Sequence, residues 1–306
     1  MNGKAQLGEF LRTRRSQLGP EDVGIPRYGE RRRVPGLRRE ELALLAGVGV
    51  SYYTRLEQGQ SLNASPQVLD AIARALRLEE AERLYLHNLA RSPATAEGTG
   101  GGSGRARRPA PERVTEATGQ LLAALAHVPT IVTGRRSDVL AWNRPGHALF
   151  AGHLDPDAPD RPAQRPNMAR LVFLDAHTRD LYADWPAKAR AVVGNLRLVA
   201  GRHPDDTALH ALVGELSAKS ADFASMWADH RVTACAVATY AMRHPLIGPL
   251  TVTQQTLSQE PGQNVVVATT EAGSPAHTAL SLLAHLDPQA APRPAPARPG
   301  ARTETG

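Results

Sequence analysis

The spacing of apolar residues divides the chain into two differently patterned parts. Residues 4–91 repeat apolar side chains every three or four positions, the period of amphipathic helices, and predict five helices in a compact all-α domain. In the first helix, residues 4–17, the inward face is predicted to hold Leu7, Phe10 and Leu11, and the outward face Arg12, Arg14 and Arg15. Residues 113–286 are mixed: helical stretches lie between two short strands at 130–142 and three alternating runs between 233 and 271. Strand pairs with helices between them predict an α+β domain whose antiparallel sheet is covered on one face.

A stretch with neither pattern separates the two parts. Residues 93–112, PATAEGTGGGSGRARRPAPE, are rich in Gly, Pro and Ser and predict a flexible linker. The tail at 287–306 is rich in Pro and Ala and is predicted to be disordered. The predicted domains are therefore 1–92 and 113–286.

Within the first domain, residues 38–59 have the pattern of two short helices joined by a sharp turn. Leu42, Leu45 and Ala46 recur at the spacing of one buried helical face. Gly47 follows, where a left-handed residue is expected to end the helix. Two short helices joined by a Gly-containing turn are typical of a DNA-binding helix-turn-helix, and an ordinary buried helical hairpin is the alternative.

The second helix of this motif is predicted to have one apolar and one polar face. Its apolar face consists of Val50, Tyr53 and Leu56. On the other face, Ser51, Tyr52 and Arg55 are predicted to contact base edges, because the N-terminal part of a recognition helix enters the major groove and arginine pairs most often with guanine. Glu57 could accept a hydrogen bond from cytosine, but a carboxylate facing phosphates is unfavourable, so Glu57 is predicted to form an intradomain salt bridge.

Arginine side chains surround this motif. The chain has 36 Lys and Arg against 30 Asp and Glu, a net charge of +6, which is consistent with a polyanionic partner. Arg31, Arg32 and Arg33 in the preceding loop, with Arg38 and Arg39 at the start of the first motif helix, are predicted to contact the DNA backbone. Such contacts set affinity and salt dependence rather than sequence choice. The alternative for the loop is a solvated run of charge.

Several other classes of protein are disfavoured. Cys235 is a lone cysteine, which excludes an internal disulfide and suits a reducing cytoplasm. The chain has neither the apolar run of a membrane span nor, in MNGKAQLGEF, the apolar core of a signal peptide. Its histidines lack metal-site spacing, and no GxSxG or CxxC motif occurs. We therefore expect a cytoplasmic protein with no catalytic residues, no metal, no cofactor and no membrane partner.

Motifs in both domains resemble a known family. RRRVPGLRREELALLAGVGVSYYTRLEQG (31–59) and SPQVLDAIARALRL (65–78) are similar to the helix-turn-helix domain of the phage-repressor-like Xre/Cro–CI superfamily. The whole chain, over 4–92 and 113–285, resembles the MmyB-like transcription regulators of actinomycetes. The motifs of the second domain that carry this resemblance are, in order, DVLAWN, LVFLD, DLYADW, GRHPDD, LVGELS, MRHPLIGPLTV and AGSP.

The resemblance implies a PAS-like second domain that binds a fatty-acid-like or other small apolar ligand. It also implies homodimeric DNA binding and frequent links to antibiotic metabolism. The chain departs from the family pattern at two places. Gly49 stands where the family usually has serine as the cap of the recognition helix, a change that costs only a few tenths of a kcal/mol. Residues 164–167, QRPN, interrupt the usual Arg-Asn pair.

Five residues of the second domain are predicted to line a ligand pocket. They are Trp142, Asn143, Arg190, Arg243 and His244. Arg243 and His244 precede Pro245 in a motif that resembles one the family keeps, and they could bind a carboxylate in the pocket or instead stabilise a hairpin turn. The two aromatic candidates of this domain, Trp142 and Trp185, could equally be core residues.

These observations predict a homodimeric, ligand-responsive DNA-binding regulator. Its two recognition helices would lie about 34–36 Å apart and read a pseudo-palindromic operator in double-stranded DNA. In the alternative, the second domain is only a dimerisation and protein-interaction module without a ligand. An enzyme fused to a DNA-binding domain is a third reading, disfavoured because no nucleophile or metal constellation is found.

Overall fold

The computed structural model describes residues 3–25, 36–60, 64–90, 112–229, 236–259 and 262–285. Several sequence predictions lie outside these ranges: Arg31, Arg32 and Arg33, the linker up to residue 111, Cys235 and the tail at 287–306. Within the described ranges, no helix has both the length and the apolar composition needed to cross a membrane.

The N-terminal domain contains the five helices that the apolar periodicity predicts. They are α1 (Gly3–Gln17), α2 (Arg39–Leu45), α3 (Val50–Glu57), α4 (Pro66–Ala75) and α5 (Glu80–Ala90). A short 3-10 turn, Glu21–Val23, follows α1. Leu7, Phe10 and Leu11 of α1 pack fully buried against the other helices, as their spacing predicts. The result is one all-α unit with a single apolar core.

Local chemistry explains where these helices begin and end. Ser65 caps α4 by accepting a hydrogen bond from the Val68 amide, and Pro66 occupies the first helical position. Gly47 has a φ of 65°, the left-handed conformation that ends α2. The extended backbone of Gly49 then begins α3. The helix-turn-helix is therefore built as its glycines predict.

The buried face of α2 differs from the predicted one by a small rotation. The buried side chains of this helix and its end are Leu42, Ala43 and Ala46. Leu45, predicted to be buried, is 41% exposed, and Val50 at the start of α3 is 43% exposed. Because α2 packs against both α3 and α4, the small Ala43 faces these close neighbours and the bulkier Leu45 turns outward.

The C-terminal domain combines five strands with eight helices in the described part of the chain. The strands are β1 (Thr130–Thr133), β2 (Val139–Trp142), β3 (Val237–His244), β4 (Gly248–Gln259) and β5 (Gln263–Thr269). The helices are α6 (Glu116–Ala124), α7 (Arg144–Ala151), α8 (Met168–Leu174), α9 (Ala176–Leu181), α10 (Trp185–Arg202), α11 (Thr207–Lys219), α12 (Ala221–Ala228) and α13 (Pro275–His285).

Two details of this domain differ from the sequence prediction. The helical region predicted at 207–229 is two helices, because Ser220 ends α11 and its side chain caps α12. The short helices α7, α8 and α9 were not predicted. Their N-terminal caps are Asn143, Asn167 and Asp175. Each cap is followed by a helix too short to show a clear helical period in the sequence.

The strands form one antiparallel sheet in the order β2-β1-β5-β4-β3. One face packs against most of the helices around the large apolar core, which confirms the α+β prediction. The other face is covered in part as well, where α6 lies over β1, β2 and β5. Alternate residues of these strands, such as Val132 and Val265, are fully buried on that second face.

Candidate DNA interface and ligand cavity

Apart from the exposed Val50, the recognition helix α3 has the buried and polar faces that the sequence predicts. Tyr53 and Leu56 are fully buried in the core of the helix-turn-helix domain. Ser51 and Arg55 are exposed, and Tyr52 is half-buried. The polar face of α3 is therefore open to a DNA groove, and Ser51, Tyr52 and Arg55 all lie on it. That they contact bases stays a prediction.

Glu57, at the end of α3, forms the intradomain ion pair that the sequence predicts. Arg15 donates two hydrogen bonds to its carboxylate, each 2.8 Å long, and Arg39 donates a third at 3.0 Å. Burial by itself would raise the pKa of Glu57, but the hydrogen bonds and charges of the two arginines outweigh it and hold the pKa below its ordinary value. Glu57 is thus an ionised structural group.

Arg15 is a correction to the sequence analysis, which placed it on the outer face of α1. Its side chain is buried, and its third hydrogen bond runs to the Leu37 carbonyl at 2.6 Å. The helical period contained a signal for this position, because Arg15 lies four residues after the buried Leu11. A charged residue on a buried face requires a partner, and Glu57 is that partner.

The two described arginines at the start of α2 differ in their contacts. Arg38 is exposed, and its backbone amide donates to the Glu41 carboxylate at 2.7 Å, a hydrogen bond of the capping-box type. Arg39 has a side chain 44% exposed, and its guanidinium is held by Glu57. Their contact with the DNA backbone stays a prediction, with Arg38 the more open of the two.

A cavity of about 360 Å³ lies between α10 and the inner face of the sheet. This volume falls within the range of about 300–1,000 Å³ that is usual for small-molecule sites. Alternate residues of the strands line one wall, and α10 lines the other. The apolar lining residues include Ile131, Phe150, Met168, Val192, Leu198, Val199 and Val266.

One part of the cavity wall is polar. Lys188 of α10 donates a hydrogen bond to the Gln254 side-chain oxygen at 2.7 Å, and its ammonium group lies 5.2 Å and 4.9 Å from the ring centres of Tyr182 and Tyr240. Gln254 in turn donates to the Tyr182 hydroxyl at 3.2 Å. Burial raises the pKa of Tyr182 to about 12, so its hydroxyl is neutral. Arg135 and Arg202 also line the cavity, which therefore combines apolar residues with several cationic and polar ones.

The residues that the sequence singled out for this pocket lie elsewhere. Trp142 donates from its indole nitrogen to the Pro156 carbonyl at 2.8 Å. Asn143 caps α7 by accepting from the Gly146 amide at 2.8 Å, and it also holds the Thr130 amide. Trp142 thus holds the end of β2 to the loop after α7, and Asn143 holds the start of α7 to β1. Neither side chain lines the cavity between α10 and the sheet.

The other three candidates also have different surroundings. Arg190 is exposed on α10 and borders a separate groove formed with α12 and β3. Arg243 is exposed near the end of β3, whereas His244 is buried and its Nε2 lies 3.0 Å from the Ala148 carbonyl. Burial lowers the pKa of His244. The structure thus brings none of the five to the cavity, and their contact with a ligand stays a prediction.

The residues that do line the cavity follow a simple sequence signal. Ala238 and Tyr240 alternate along β3, with Ala236 just before it in the same register, and Gln254 and Thr256 alternate along β4. This period of two marks the inner face of each strand. The sequence analysis chose candidates for their polar or aromatic chemistry and missed these strand residues. The inner face of the strands becomes a cavity wall only where α10 covers it. Within the described residues, no group of three or more His, Cys, Asp or Glu is placed to hold a metal ion.

A helix-turn-helix domain joined to an α+β domain with a cavity between helix and sheet is typical of DNA-binding regulators. Comparison with family models agrees: residues 114–283 match the MmyB-like transcription regulator ligand binding domain, and residues 6–86 match a helix-turn-helix domain. The chain belongs to the family of MmyB-like transcription regulators. It is therefore a DNA-binding transcription regulator. No curated protein matches the chain.

Proposed function

We propose that this chain is a homodimeric, sequence-specific transcription regulator whose DNA affinity is set by a small apolar ligand, of fatty-acid type, in the cavity between α10 and the sheet. The observation that carries the ligand proposal is the combination of an apolar wall with Lys188. An alkyl chain would lie against Ile131 and Val266. Its carboxylate would accept hydrogen bonds from the ammonium group of Lys188.

For DNA, we propose that Ser51, Tyr52 and Arg55 read base edges while Arg38 and Arg39 contact the backbone. Arg31, Arg32 and Arg33 would add further phosphate contacts. A symmetric dimer would place two copies of α3 about 34–36 Å apart, on the two halves of a pseudo-palindrome. Because its target is DNA, we place the protein in the cytoplasm, and we propose no catalytic role, metal or cofactor for it.

Native mass spectrometry of the purified full chain, followed by solvent extraction, tests the dimer and the ligand together. We expect a dimer that carries a lipid-like adduct or takes up added dodecanoate with one site per chain. Val266→Phe, which fills the cavity, should abolish this uptake, and the same substitution type at the exposed Ala211 of α11 should not.

The other outcomes separate the alternatives. A dimer that takes up no dodecanoate and releases no adduct would contradict the fatty-acid proposal and favour a second domain that serves only for dimerisation and protein interaction. A monomer at the concentrations used for DNA binding would contradict the two-fold operator. Uptake by Ala211→Phe and Val266→Phe alike would place the lipid outside this cavity.

A further inference from the structure

Helix α10 lies between the cavity and the DNA-binding domain. One side of the helix lines the cavity through Lys188, Val192 and Val199. Elsewhere the same helix packs against α5, the last helix of the helix-turn-helix domain. A single rigid element therefore contacts both the candidate ligand and the candidate DNA reader.

Leu198 takes part in both environments. Its side chain lines the cavity, and it is also a member of the buried apolar cluster that forms the core of the helix-turn-helix domain. That cluster includes Tyr85 and Leu89 of α5. Leu198 is the one residue of the C-terminal domain among the buried members of this cluster in the described part of the chain. Leu198 therefore borders the cavity and packs in the core of the other domain at the same time.

The packing around Leu198 leaves little space to absorb a shift of α10. A Cβ atom at Gly201 would lie 2.6 Å from the Tyr85 ring, so the two helices meet at a closeness that only glycine permits. One turn earlier, the fully buried Arg197 has its guanidinium 4.5 Å from the Trp227 ring centre and donates to the Trp227 carbonyl. Close-packed interiors transmit displacement rather than absorb it.

The contacts continue from α5 to the recognition helix. Tyr85 packs edge-on against Phe10 of α1, with ring centres 5.2 Å apart. Helix α1 in turn touches α3 closely, since a Cβ atom at Gly8 would collide with the Glu57 carbonyl oxygen. The buried pair of Arg15 and Glu57 joins the same two helices. Leu198, α5, α1 and α3 thus form one continuous packed path.

We propose that α10 couples occupancy of the cavity to the position of the recognition helix, with Leu198 as the residue through which the two domains are linked. The proposal rests on the proposed function, because it needs a ligand in that cavity. A ligand shifts DNA affinity by this route only if it binds one arrangement of α10 against α5 better than another. The coupling is then reciprocal: operator DNA changes ligand affinity by the same factor.

A cavity-filling variant tests the coupling without any ligand. Val266→Phe adds volume from β5, the wall opposite α10, and leaves both faces of α10 unchanged. We expect it to change amide hydrogen exchange in α5 and to change the Kd for operator DNA about fivefold or more, the lower end of usual allosteric coupling. In a Leu198→Ala background, both changes should fall below about twofold.

Val192→Ala is the matched control for Leu198→Ala. Val192 also lines the cavity from α10 but packs against the core of the C-terminal domain and not against α5. In this background the effect of Val266→Phe should persist. Thermal unfolding of each variant checks that it is folded. If Val266→Phe does not fold, Ala191→Phe, which fills the cavity from α10, replaces it.

The proposal is overturned if exchange changes only in α10 and the sheet, or if the DNA Kd shifts equally in the Leu198→Ala and Val192→Ala backgrounds. These results are distinct from a failure of the ligand proposal. Dodecanoate that does not bind the wild-type chain contradicts the ligand class, whereas the response to Val266→Phe reports on the coupling alone.

Discussion

Arg15 and Glu57 form a bidentate ion pair that joins the first helix to the end of the recognition helix, with both nitrogen–oxygen distances at 2.8 Å. The Glu57 side chain is 1% exposed. Arg15 belongs to α1 and Glu57 to the last turn of α3, so the pair ties these two helices together in the core of the helix-turn-helix domain. Because both groups are buried and paired, we assign Glu57 a structural role in holding α3 against α1.

Removing one partner of this pair should destabilise the N-terminal domain. Glu57→Ala leaves the buried Arg15 without its carboxylate, and such a loss costs ~3–5 kcal/mol. Urea unfolding followed by far-UV circular dichroism measures the change. Glu215→Ala is the control, because its pairs with Arg170 and Lys219 are largely exposed and contribute ~0–1 kcal/mol. Equal losses in the two variants would contradict a structural role for Glu57.

Arg55→Ala should reduce sequence discrimination. A bidentate contact to guanine is worth ~1–3 kcal/mol, about 5- to 150-fold in Kd, and random DNA lacks it. Fluorescence anisotropy on the site that the wild-type protein selects from random DNA, compared with a scrambled duplex, measures the ratio. Arg12→Ala, an exposed arginine on α1, serves as the control and should keep the ratio. If Arg55→Ala lowers the affinity for both duplexes equally, Arg55 does not read bases.

Arg38→Ala should weaken binding to all DNA sequences alike. Each lost phosphate contact lowers the slope of log K against log salt by about 0.9, because fewer counterions are released. A titration of operator DNA at several salt concentrations gives this slope for wild type and variant. An unchanged slope would show that the exposed Arg38 does not contact the backbone.

Lys188→Met should weaken fatty-acid binding selectively. A charge-assisted hydrogen bond is worth ~1.5–3 kcal/mol, so dodecanoate should lose affinity about tenfold or more while dodecanol loses little. Displacement of a fluorescent fatty acid from the full chain measures both ligands. Lys219→Met, on the exposed surface of α11, is the control. Parallel losses for acid and alcohol would indicate that Lys188 supports the cavity without binding the head group.

Acidification should destabilise the C-terminal domain, in part through His244. Burial lowers the pKa of His244, so the unfolded chain binds its proton before the folded chain does. Stability is therefore expected to fall as pH drops below the ordinary histidine value of 6.5, until the folded-state pKa is reached.

His244→Gln tests that contribution by thermal unfolding between neutral and mildly acidic pH. The variant should lose less stability than wild type on acidification, although His147, His177 and His203 also have lowered pKa values and will contribute. The same substitution at the exposed His277 should leave the pH profile unchanged. A wild-type-like profile for His244→Gln would contradict this assignment.

The helix-turn-helix, the division into two domains and the positions of the strand-forming segments along the chain could be predicted from the amino-acid sequence alone. These features depend on local rules: Gly47 can adopt a positive φ, Ser65 can cap a helix, and the faces of α3 follow the helical period. The Glu57 ion pair was also predicted in kind, because a carboxylate facing phosphates would be unfavourable in a DNA-binding helix. Its deepest partner, Arg15, was misplaced because arginines on a helix are usually exposed.

The position of the cavity and the residues that line it depend on packing between distant parts of the chain. Trp142 and Asn143 were chosen for their chemistry, yet Trp142 bonds to the loop after α7 and Asn143 caps α7 and holds β1. The cavity instead forms where α10 crosses the inner sheet face, a contact between residues that are far apart in the chain. The same holds for Leu198, which joins the two domains: its dual position depends on how α10 packs against α5, and no local pattern encodes that packing.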